Sequence, residues 1–139
     1  MLKQAILKCP PEAWDNPLDK DKFWFVAYHT LRYAHLYLKA QGKGFPRWEA
    51  RQHSGPGTPF SKGQILERLK LVEQDVAEQI PLMDLEAESG YAWIPTNKLE
   101  LQLDSLRHIQ QHTGELYQRL GARNVKLPWV SERHKKKEK

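Results

Sequence analysis

The chain has 139 residues, 40% of them apolar, with five tryptophans and a formal charge of +5. That length suits one domain with a substantial core and is short for two, and the apolar content excludes a disordered chain. No apolar run approaches the roughly 18 residues of a membrane helix. Met1-Leu2-Lys3-Gln4 lacks the apolar stretch of a secretory signal, so the expectation is a cytoplasmic protein with no membrane partner.

Leu2 to Lys8 has helical character, and Pro10-Pro11 must end that first helix, because proline lacks the amide donor and blocks the preceding turn. Cys9 is the single cysteine, which excludes an internal disulfide and a thiolate metal cluster. The plain reading of Cys9 is a small residue at a helix end. After Asp15-Asn16-Pro17 the pattern predicts a second helix from about Asp19 to Lys39, capped by Asp19 or Asp21 and stopped by Gly42 and Gly44. Gln41 to Phe60, rich in glycine and proline, reads as a long loop that Trp48 and Phe60 tack down. Loops of that length often line binding sites.

Ser61 followed by Gln64 is a capping box, in which hydroxyl and amide each satisfy an orphan backbone N–H. The third helix then carries Ile65, Leu69, Val72, Val76 and Ile80 on one apolar face, and Pro81 ends it. A second loop spans Leu82 to Thr96. Asn97 with Glu100 caps a fourth helix that runs to Leu120, with Gly121 as its left-handed exit. Nothing alternates with period two for long enough to make a strand. The fold class read from these elements is all-α, with residues 1–130 as one helical domain.

Residues 131–139 read as a disordered basic tail. Arg133, Lys135, Lys136, Lys137 and Lys139 against Glu132 and Glu138 give it a net +3, which leaves only +2 for the rest of the chain. Nucleic acid calls for basic groups clustered on a folded face, so it is not the expected partner.

The chemistry-bearing residues are histidines. In Leu106-Arg107-His108-Ile109-Gln110-Gln111-His112 two of them stand four apart, about 40° from each other on one helix face. Ile109 after His108 excludes the zinc-protease signature, which places a glutamate there. A third ligand must come from another helix. His29 and His35 both lie on the second helix and point about 120° apart at roughly 100° per residue. That helix is apolar almost all round, so burial does not choose between them. His53 falls in the long loop and His134 in the tail.

The segments Phe23-Trp24-Phe25-Val26-Ala27-Tyr28-His29-Thr30-Leu31, Leu99-Glu100-Leu101-Gln102-Leu103 and Arg107-His108-Ile109-Gln110-Gln111-His112-Thr113-Gly114 resemble the DinB-like family. That family comprises four-helix-bundle proteins and shares only a name with the DNA polymerase. The likeness extends from Leu2-Lys3-Gln4-Ala5-Ile6 through Cys9-Pro10-Pro11-Glu12-Ala13-Trp14 to about Leu120, and the last-helix motif is its most specific part. It implies a four-helix bundle with a short first helix, and a metal triad of His29, His108 and His112. Two departures stand out: the first helix is shorter than the family's, and His35 stands where an acidic residue is common.

Neutral imidazoles suit zinc, nickel, iron or copper and not magnesium or calcium, and the expected metal is zinc or nickel. Three protein ligands leave coordination positions open, as in catalytic sites. The resemblance implies a metal-dependent enzyme, a transferase using a small thiol or a hydrolase; the alternative is a non-enzymatic binding protein with a vestigial site. Glu115 could orient a ligand or act as a base, although a solvated helix glutamate is the plainer reading, and Tyr33 and Tyr117 read as packing residues. The pocket is expected at the mouth of the bundle beside the Gln41–Phe60 loop. Leu99, Leu103, Leu106 and Tyr117 form a stripe that the short first helix cannot cover, which predicts a two-fold homodimer.

Overall fold

Proline sets the first two boundaries. In the computed structural model, which describes residues 1–39 and 58–128, α1 covers Leu2–Lys8 and buries Leu2, Ala5 and Ile6 at helical spacing. Cys9 turns to extended backbone, and Pro11 opens a further short helix, α2 (Pro11–Trp14). Proline suits a first helical position because its missing N–H would have no partner there. The indole of Trp14 donates to the Phe60 carbonyl at 2.8 Å and fastens α2 to the chain just before Ser61.

Helix α3 is Phe23–Leu38, so it starts later than the sequence pattern predicts, and neither Asp19 nor Asp21 caps it. The physical reason is Lys22. Its ammonium donates to the carbonyls of Asn16, Pro17 and Asp19 at 2.9, 3.0 and 2.7 Å, which winds the preceding segment into a closed turn. From the last helix, Arg119 donates to the Asp21 carbonyl at 2.5 Å and holds the turn from outside.

Helix α4 (Lys62–Gln79) begins at the expected capping box, with Gln64 N–H on Ser61 Oγ at 3.2 Å and Ser61 N–H on Gln64 Oε1 at 2.8 Å. Ile65, Leu69 and Val72 are buried, but Val76 and Ile80 on the same face are exposed. A 3-10 turn at Ile80–Leu82, containing Pro81, ends this helix. Helix α5 (Lys98–Gly121) also has its capping box, Asn97 with Glu100. Its exit differs from expectation. Gly121 is still helical, and the left-handed residue is Asn124 at φ 58°, one of the few side chains that tolerate that region.

Helix α3 packs against both α4 and α5, while α1 packs against α4 and α5 from the other side. The shared core includes Ile6, Phe23, Leu31, Ile65, Leu116 and Leu120, each worth about 1.5–3 kcal/mol of apolar burial. A smaller cluster, Leu36, Tyr91 and Leu101, anchors the connection before α5, where the Tyr91 hydroxyl donates to the Leu36 carbonyl at 2.5 Å. Among the described residues the fold is all-α, with no strand beyond an isolated Glu88–Asn97 bridge. None of the described helices is long and apolar enough to cross a membrane.

The predicted stripe on α5 is present in part. Leu99, Leu103 and Leu106 are 40%, 51% and 56% exposed. Tyr117 does not belong with them: it is half-buried, and its hydroxyl lies 3.4 Å from the carbonyls of both Met1 and Pro128. The N-terminus of α1 reaches Tyr117, and the leucines lie further toward the start of α5.

Candidate metal centre

Helices α3 and α5 pack side by side, and their shared seam carries the histidines. His29 sits on the ridge Phe25–His29–Tyr33, whose rings are 6.2 and 4.7 Å from its own. From α5, His108 and His112 face it, each with its ring centroid 5.0 Å from that of His29 and 4.6 Å from the other's. All three are half-buried, and one ligand nitrogen from each lies within 4.8 Å of the others. Two nitrogens on one ion, each at about 2.1 Å, are at most about 4.2 Å apart. A small side-chain adjustment therefore brings the cluster to metal-binding geometry.

The electrostatics favour neutral imidazoles, the form that binds metal. Burial, then the neighbouring His108 and His112, lower the pKa of His29 to about 4. Burial and His112 lower that of His108 as well. His108 Nε2 is buried and has no hydrogen-bond partner among the described residues. A buried imidazole nitrogen left without a partner is costly in a packed protein, and a coordinated ion would satisfy it. The donor set thus fits a divalent transition metal.

Glu115, on the next turn of α5, was legible as a residue that could orient a ligand or act as a base, with a solvated helix glutamate as the plainer reading. Its Oε2 is 3.1 Å from His112 Nδ1, and its Oε1 pairs with the Arg119 guanidinium. With Nδ1 held by a carboxylate, His112 keeps Nε2 for an ion, the usual support for a metal-bound histidine. The i, i+3 spacing was the available signal. Both carboxylate oxygens being engaged, Glu115 positions His112 and is poorly placed to act as a base.

His35, the other α3 candidate, is not part of the cluster. It points at α4, where its Nδ1 is 2.7 Å from Asp75 Oδ2, and Lys39 Nζ lies 3.7 Å from the same oxygen. Asp75 is the partner that sequence reading missed. His53, Trp48 and most of the Gln41–Phe60 loop lie outside the described residues, as do His134 and the basic tail. Phe60 does act as a tack: its ring is 5.1 Å from that of Tyr28 and 3.9 Å from the Arg68 guanidinium carbon. Cys9 is buried, and desolvation raises its thiol pKa to about 11, so it offers no nucleophile. A cavity of about 550 Å³ opens between α1, α3, α4 and α5, lined by Thr30, Ile109 and Thr113 and by none of the three histidines. These lining residues follow the histidines in sequence and sit about 100° further round each helix.

No protein-family model matches the chain, and no solved structure matches it.

Proposed function

We propose that this protein is a metal-dependent enzyme of DinB-like type, a four-helix bundle with a short first helix that holds zinc or nickel on His29, His108 and His112. The observation that carries this reading is the convergence of three imidazoles from two helices, with one ligand nitrogen from each within 4.8 Å of the others. Nitrogen donors select a transition metal over a hard cation, and three ligands leave room for a substrate. When bound, such an ion supplies Lewis acidity and lowers the pKa of a coordinated water or thiol.

The chain's own residues supply positioning and shelter. Glu115, braced by Arg119, fixes the ring of His112. Phe25 and Tyr33 flank His29 along α3, and the Tyr33 ring is 5.1 Å from that of His108, which gives the seam an aromatic wall. Apolar walls exclude water and favour a substrate with an apolar part beside its reacting group. The motif likeness to DinB-like proteins in α3 and α5 supports group transfer to or from a small thiol, with hydrolysis as the other reaction.

Cobalt loading tests the thiol reading. Adding glutathione, cysteine or another small cellular thiol to the cobalt-loaded protein should produce a sulfur-to-metal absorption band and shift the visible spectrum. A spectrum unchanged by every such thiol contradicts thiol transfer and leaves hydrolysis as the reaction to assay.

A further inference from the structure

We propose that α5 pairs with the α5 of a second copy of this chain, antiparallel, about a two-fold axis beside Leu103. The face involved is Leu99, Leu103 and Leu106, each at least 40% exposed. Steps of four and three give these leucines the seam spacing of paired helices. Toward the C-terminus the same side of the helix reaches Tyr117, where α1 already covers it. At the other end the Leu99 N–H bonds the Leu85 carbonyl at 3.0 Å, which sets a further exposed apolar residue beside the seam.

Charge identifies the occupant and its direction. Glu100 and Arg107 each directly follow a seam leucine, so they share one flank of the stripe, seven residues apart. In an antiparallel pair equivalent flanks face each other. Glu100 caps its own helix through Oε2, which accepts the Asn97 N–H at 3.3 Å, and a carboxylate has a second oxygen with which to accept; Glu100 of one copy then meets Arg107 of the other, and the symmetry repeats the pair. A parallel pair would instead set this flank against the opposite one, which holds Gln102 and Ile109. That flank is committed within its own chain: Gln102 donates to the Tyr37 carbonyl at 2.7 Å, and Ile109 packs on the core. Among the described residues Arg107 makes an exposed ion pair with Asp104, of a kind worth about 0–1 kcal/mol, so its guanidinium can turn to a partner. The seam is thus self-complementary in shape and in charge, as an isologous contact requires.

The midpoint between Glu100 and Arg107 falls between Leu103 and Asp104. Leu103 of the two copies then lies almost level, about 1.5 Å apart along the axis, whereas the two Leu99 residues are about 13 Å apart along it. This register makes the proposal specific.

The test is the mass of the full chain in solution, by light scattering at micromolar concentration, with far-UV circular dichroism to follow folding. Wild type should be a dimer and Leu103→Glu a folded monomer. Glu100→Lys and Arg107→Glu should each weaken association about tenfold, and the double variant should regain most of it. Under mild oxidation Leu103→Cys should yield a covalent dimer, and Leu99→Cys should not. A monomeric wild type, as expected if a different partner covers this face, would overturn the proposal. So would a dimer that survives Leu103→Glu, a double variant as weak as the singles, or equal cross-linking at positions 99 and 103.

Discussion

Glu115 holds His112 from behind: its Oε2 lies 3.1 Å from Nδ1, and its other oxygen is tied to Arg119. This contact selects the tautomer with the proton on Nδ1, which leaves the lone pair of Nε2 for an ion. Removing such a support typically costs a metal site about 10–100-fold in affinity. Glu115→Ala should therefore weaken zinc binding by about that factor in a chelator-competition titration. Glu115→Gln, whose amide oxygen can still accept the Nδ1 proton, should lose much less. Equal affinity in wild type and Glu115→Ala would mean that Glu115 pairs with Arg119 alone.

The metal-free protein should lose stability in mild acid. His29 has its pKa lowered to about 4 from 6.5, and burial lowers those of His35 and His108 too. Between the two values the unfolded chain takes up protons that the native state does not, so the stabilisation is complete above the unfolded pKa and is lost as pH falls through the folded one. The urea midpoint should be highest above about pH 6.5 and decline toward pH 4. A midpoint that is constant across that window would contradict the picture of neutral, desolvated histidines.

The two histidines of α3 should separate cleanly under mutation. His35 is buried and paired with Asp75, so Asp75→Ala should cost about 1–3 kcal/mol of stability by stranding a buried donor, with metal content unchanged. His29→Ala should do the reverse, removing metal with a smaller effect on folding. Denaturant titration and elemental analysis of both variants check this, and loss of metal in Asp75→Ala would contradict the division of roles.

Local chemistry was readable from the sequence and tertiary choice was not. The capping boxes Ser61–Gln64 and Asn97–Glu100 involve residues three apart, and both form as written. The His108–His112 pair is equally local. Choosing between His29 and His35 depends on which helix lies on which side of α3, and α3 is apolar on nearly every side. Packing decides it: α5 meets the His29 side, and Asp75 of α4 takes His35. The start of α3 was misjudged for a related reason. Asp19 and Asp21 have good capping chemistry, but the Lys22 ammonium gathers three carbonyls and moves the helix start to Phe23. At the far end Gly121 had the composition of a helix exit, yet the helix continues through it and Asn124 takes the left-handed position.

Elemental analysis of the protein purified without a histidine tag tests the metal centre most directly, with His108→Ala alongside. The wild type should carry close to one equivalent of zinc or nickel per chain, and His108→Ala should carry none while keeping the same helical circular dichroism. A wild type that cannot be loaded with either metal, or a His108→Ala variant that retains a full equivalent, would contradict a site built on His29, His108 and His112.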